Sequence, residues 1–168
     1  MQRIQTMSAP LAATPQFHHV AVQTTDLDNC VAWYRDFFGC RPAWTLSTFS
    51  DLTRSRLPGI TRLTEMVVGD FRVHIFERDP ERAGQDHPDP RGAKTQFQHI
   101  CMRVGSPEEL VRWREHWDDL FESGRYNFTL PDQPTKIARD DDGVNSFYAL
   151  DVNGLEYEFT YIPDGGTR

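Results

Sequence analysis

The sequence predicts an α+β protein in which two βαβββ modules form one curved, mixed eight-stranded sheet around a cavity, with the helices outside. Three observations lead there. FHHVAV and FQHICM align Phe17 on Phe97 and His19 on His99, an offset of 80 residues. In each half a helix-start signal, Asp26 or Ser106, follows its histidine by seven residues. Each half then closes on a Gly turn and a strand in which one polar residue, His74 or Glu158, interrupts apolar positions. The two spans agree, at 55 and 59 residues from histidine to polar residue.

The elements follow in order. Residues 1–16 lack periodicity and read as a loose leader before a single domain over 17–163. FHHVAVQ alternates as a strand. Asp26 caps a helix in which Leu27, Val31, Tyr34 and Phe38 recur at helical spacing, and Gly39 stops it. Strands are expected at 44–49 and 63–68, and Gly69-Asp70 turns the chain into FRVHIFE. Residues 78–94 are dense in Pro, Gly and charge, as expected of a lid or a linker, so the modules are placed at about 17–78 and 96–163 with 79–95 between them. In the second module, FQHICMRV is a strand and Ser106-Pro107-Glu108-Glu109 a capping box. Leu110, Trp113, Trp117 and Phe121 follow at helical spacing up to Gly124. Strands are then expected at 126–130 or 136–139, at 145–150 and at 155–161, with Asp142-Gly143 and Asn153-Gly154 as turns.

Composition narrows the partners. Eighteen Lys and Arg against 25 Asp and Glu leave a net charge of −7, which argues against a broad electropositive face for nucleic acid or anionic membrane and favours a small molecule. The apolar runs are too short to span a bilayer and the N-terminal residues carry no signal-like core, so a cytoplasmic protein is expected. Cys30, Cys40 and Cys101 are too few and too widely spaced for a disulfide framework or a structural zinc site.

Strand parity selects the candidate site. If Val20 and Val22 face the helix, His19 faces the cavity and His18 points away. The same parity turns His99 inward opposite Ile100 and Met102. In the last strand Leu155, Tyr157, Phe159 and Tyr161 form the apolar side, leaving Glu156, Glu158 and Thr160 inside. Two neutral imidazoles and one carboxylate in a cavity make a facial triad, the donor set of Fe(II) enzymes that leave positions open for substrate and oxygen. Arg72, Arg103 and Arg139 are candidates to hold a substrate carboxylate.

On these residues the sequence resembles the vicinal oxygen chelate superfamily of glyoxalases, fosfomycin-resistance transferases, bleomycin-binding proteins and type I extradiol dioxygenases. The resemblance runs over residues 17–163 and implies His19, His99 and Glu158 as metal ligands, the glutamate standing four residues after the turn glycine. SFYALDVNGLEYEF is similar to the extradiol pattern, with Tyr148 ten residues before Glu158. In that family the tyrosine hydrogen-bonds the bound catechol and a histidine at the strand position of His74 handles a proton near oxygen. Two positions depart from the pattern: Arg139 stands where a histidine is expected and Val152 where a proline is.

The resemblance to compact single-domain extradiol enzymes, such as the L-DOPA dioxygenases of antibiotic pathways, implies an Fe(II)-dependent ring-cleaving dioxygenase using O2 on a small aromatic ortho-diol. A non-redox isomerase, lyase or transferase on Zn, Ni or Mn is the alternative, and a metal-free drug-binding resistance protein the third reading. Related folds pair their modules either within a chain or between the chains of a homodimer, so His19 is expected to meet His99 of the same chain or of a second copy.

Overall fold

The computed structural model describes residues 16–82, 99–139 and 143–164. Strand β1 (Val20–Thr24) leads into helix α1 (Leu27–Phe38), followed by β2 (Arg41–Leu46), a short helix α2 (Asp51–Arg56), β3 (Ile60–Val68) and β4 (Phe71–Arg78). The second pass is β5 (Ile100–Arg103), helix α3 (Pro107–Glu122), β6 (Ala138–Arg139), β7 (Asn145–Leu150) and β8 (Glu156–Tyr161). Two βαβββ modules and eight strands are therefore present. The strands hydrogen-bond as two four-stranded sheets, ordered β1-β4-β3-β2 and β5-β8-β7-β6. In each sheet the outer first strand runs parallel to the last and the remaining pairs are antiparallel.

The helix signals act as their chemistry requires. Asp26 accepts a hydrogen bond from the Asn29 amide at 3.1 Å, and Gly39 takes a left-handed φ of 70° that lets its amide reach back to the Tyr34 carbonyl. Ser106 accepts from the Glu109 amide at 3.1 Å, while the Glu109 carboxylate reaches back to the Gly105 amide at 2.7 Å, one residue before the usual capping-box partner. The β3–β4 hairpin turns at Gly69, again left-handed at φ 52°. Helix α2 had not been expected; Ser50 caps it by accepting from the Thr53 amide.

Val22, Val73, Ile75 and Met66 of the first sheet and Phe147, Ala149, Tyr157 and Phe159 of the second form one buried core with both long helices. Helix α1 lies between the two modules. Phe37 and Phe38 meet Trp113 and Phe159 of the second module, and the Tyr34 hydroxyl donates to Asp151 Oδ2 at 2.9 Å and lies 2.8 Å from the Tyr157 hydroxyl. Asn29 exchanges two 2.9 Å hydrogen bonds with the Asn127 backbone. Asp151 is fully buried, and besides Tyr34 it accepts from the Asn153 and Leu155 amides at 2.8 Å, so its polar atoms are satisfied. Burial nevertheless pushes its carboxyl above the ordinary carboxylate value.

Residues 1–15 of the leader and most of the 78–94 segment, with Phe97 and Asp142 of an expected turn, lie outside the described residues. Among those described, no helix is long and apolar enough to cross a membrane. Cys30 and Cys40 are buried, and Cys101 is exposed on the open side of β5. His116 is half-buried, stacked on Phe37 and hydrogen-bonded through Nε2 to the Asp36 carbonyl at 2.9 Å.

Candidate metal and substrate site

Alternation along each strand turns a second, polar face away from the helices. In the first sheet that face carries His19, Arg72, His74 and Glu65. Ladder register places His74 beside Ala21 on one flank and Glu65 on the other. Glu65 is 3% exposed, and it joins His74 Nε2 at 2.9 Å through one oxygen and Arg72 Nη1 at 2.9 Å through the other. The His74 hydrogen bond, followed by the Arg72 charge, outweighs burial and holds the Glu65 carboxyl below its ordinary value. In the tautomer that carries its proton on Nε2, His74 donates to the ionised Glu65 and turns the lone pair of Nδ1 to the open face.

The His74 ring stacks on His19 at 3.7 Å between centroids. His18 joins them: its Nδ1 lies 2.9 Å from His19 Nδ1 and its ring stands edge-on to both neighbours. Parity predicted that His18 would point away. Parity fails here because residues 16–19 precede the first ladder pair and are not held to strand alternation. Desolvation, then the charges of His74 and His18, lower the pKa of His19. A lowered pKa favours the neutral imidazole that a metal ligand must be.

On the second sheet, His99 Nε2 lies 3.2 Å from Glu158 Oε2, and Nδ1 lies 3.8 Å from Glu156 Oε1. Tyr148 pairs with Glu158 across the β7–β8 ladder and its ring stands edge-on to His99 at 5.5 Å. Burial and then the neighbouring Glu158 raise the Tyr148 pKa, so its hydroxyl is a donor at neutral pH. Cys101 pairs with Glu158 on the other side; burial, then Glu158, lift its thiol to about 11.

The structure thus assembles the predicted residues in two groups, His19 with His74 and His99 with Glu158 and Tyr148. Among the described residues, the imidazoles and carboxylates whose ligand atoms gather within 4.8 Å in threes are His18, His19 and His74; His19, His99 and Glu158 do not form such a group in one chain. Arg72 lies with the first group and Arg103 on the open face of β5, where it borders a cleft of about 420 Å³ with Tyr161 and Asp164. Arg139 does not join them: it pairs with Asn145, on the Phe147 side of β7 rather than the Tyr148 side. Both donor groups suit a borderline divalent cation, since neutral imidazole and carboxylate are its usual protein ligands. His74 also has the carboxylate partner on its second nitrogen that ligating histidines commonly have.

The sequence pattern described as Glyoxalase/Bleomycin resistance protein/Dioxygenase superfamily matches residues 16–145. The chain belongs to this superfamily. Solved members share the architecture. A lactoylglutathione lyase from Agrobacterium tumefaciens is 19% identical, with a TM-score of 0.54 over 91% of this chain and 96% of that one. A glyoxylase/bleomycin resistance protein/dioxygenase domain from Frankia sp. EAN1pec is 14% identical, with a TM-score of 0.64 over 91% and 96% of the two chains. The fosfomycin resistance protein FosX of Listeria monocytogenes, solved with Mn(II) and sulfate, is 14% identical, with a TM-score of 0.55 over 92% and 98%. At these identities the likeness is one of fold. No curated protein matches the chain. Within the superfamily fold, Glu65 is the site residue that sequence reasoning missed. A lone carboxylate in the apolar run LTEMVV, on the same parity as Leu63 and Val67, was the available signal.

Proposed function

We propose that the chain is an Fe(II)-dependent extradiol dioxygenase acting on a small catechol such as L-DOPA, with each metal site completed by two copies of the chain. The observation that carries the reading is the register-matched trio His99, Glu158 and Tyr148, in which a donor pair 3.2 Å apart has a protonated phenol on the adjacent strand. His99 and Glu158 of one copy and His19 of the other would hold the ion. Two features support the exchange. The ligands lie in separate groups within one chain, and β1 and β5 are the outer strands of their sheets, each with an edge unpaired among the described residues. Unpaired edges are surfaces that a second copy covers at low cost.

A ferrous ion held there supplies a Lewis-acidic, redox-active centre where a diol and dioxygen are brought together. The protein's own share is positional. Tyr148, kept protonated, donates to a diol oxygen. His74, fixed through Nε2 by Glu65, presents Nδ1 to take or return a proton. Arg72 and Arg103 are the candidates for a substrate carboxylate. The test is anaerobic reconstitution with Fe(II) followed by oxygen-electrode and absorbance traces on L-DOPA, hydrocaffeate and protocatechuate. Stoichiometric oxygen uptake with a new yellow product is expected, and no uptake by iron-loaded protein overturns the proposal.

One observation favours a second reading. His74 lies against His19 closely enough to be a ligand itself, which suits a non-redox isomerase, lyase or transferase on Zn, Ni or Mn. His74→Ala separates the two. The dioxygenase reading expects lost turnover with metal retained, whereas the second expects lost metal.

A further inference from the structure

Strand β2 is exposed along its whole length, yet it carries Trp44 and Leu46, 37% and 47% exposed, two of the few large apolar side chains left in solvent among the described residues. Core packing does not account for a tryptophan there. Ladder register does: Trp44 pairs with Glu65, Glu65 with His74 and His74 with Ala21, so one row crosses the open face of the first sheet. The Trp44 ring stands edge-on to His74 at 5.1 Å. The next row is Leu46, Leu63, Phe76 and Gln23, and the Phe76 ring lies 6.5 Å from His74. Trp44, Leu46, Leu63 and Phe76 therefore make an apolar wall on the side of His74 away from His19.

We propose that Trp44 is the surface on which the ring of the substrate rests, so that the site selects planar aromatic molecules over saturated ones of equal size. The proposal rests on the reading that His74 borders the reacting centre, but not on the metal or on oxygen chemistry. An indole offers a saturated ring only buried area. To an aromatic ring it adds the attraction between a ring face and a ring edge, worth about three- to tenfold in affinity. Arg72, on the same open face and half-exposed, keeps guanidinium donors beyond the one given to Glu65, which suits an aromatic acid.

The test compares hydrocinnamate with 3-cyclohexylpropionate by titration calorimetry on the full chain without added metal. The wild type is expected to bind hydrocinnamate about three- to tenfold more tightly. W44F should keep most of that preference, and W44L, which retains apolar bulk without a ring, should abolish it. Circular dichroism checks that both variants fold. A preference that W44L leaves unchanged, equal affinities in the wild type, or no measurable binding of either acid overturns the proposal. Failure of iron-loaded protein to take up oxygen, with the W44L effect intact, overturns the dioxygenase reading alone.

Discussion

The two sheets are built on one plan and carry different chemistry. His74 pairs with the residue two beyond His19, and Glu158 pairs with the residue two beyond His99, so the two polar residues occupy the same place in their modules. Glu65 and Tyr148 are likewise equivalent, each one strand further out. The first module reads Ala21, His74, Glu65, Trp44 across its row, an imidazole backed by a buried carboxylate and flanked by an aromatic ring. The second reads Cys101, Glu158, Tyr148, a carboxylate beside a phenol. Repetition supplies the scaffold twice, while divergence gives one module a carboxylate and an imidazole beside a phenol and the other a histidine cluster beside apolar side chains.

The largest expected effect breaks the second module. Glu158→Ala or His99→Ala should lower metal affinity by more than the roughly 100-fold that loss of an outer partner costs, as measured by competition with a chromophoric chelator. Retention of wild-type affinity would remove these residues from the ligand set. The comparison sharpens when the modules are tested against each other. His19→Ala and His99→Ala should each be inactive, and co-expression should restore about a quarter of the activity if sites form between copies, because half of the dimers are mixed and each mixed dimer holds one intact site. Pairing within a chain predicts no restoration.

Smaller effects concern the joint between modules. Tyr34→Phe removes the hydroxyl that donates to buried Asp151 and meets Tyr157, and should cost about 1–3 kcal/mol in urea unfolding. Smallest is a pH effect in the first module. Glu77 accepts from Arg62 Nε at 2.7 Å, from Thr61 and from the Leu27 amide, and these bonds, Arg62 first, pull its carboxyl down to about 2. With a folded value below the ordinary one of about 4.3, its contribution is complete above that pH and is lost as the pH falls toward about 2. Glu77→Gln should therefore cost about 1 kcal/mol at neutral pH after solvent screening and flatten the acid limb of stability between those values. An unchanged acid limb would contradict it.

Much of this was legible in the residues. The Asp26 and Ser106 caps, the Gly39 and Gly69 turns and the offset of His19 and His99 are local signals, and the structure realises each of them. Parity also put Glu158 on an open face, and the resemblance singled out His74 and Tyr148, which the ladders place on the open faces of the two sheets. Parity failed at His18, where strand pairing does not enforce it, and it offers no reading at Trp44, because a bulge between Pro42 and Trp44 shifts the register of β2 and hides that Trp44 faces Glu65. Arg139 was misplaced for a related reason, since a two-residue strand offers too little alternation to assign a side.

By itself, then, the sequence determined the long elements, their order and the face a polar residue takes within a paired strand, because periods of 3.6 and 2 are properties of neighbouring residues. Only the tertiary structure decided which of those faces come together. Helix α1 packs on the second module through Tyr34 and Asp151, residues 117 positions apart. No local pattern encodes a contact of that span, because it depends on how two finished modules fit against each other.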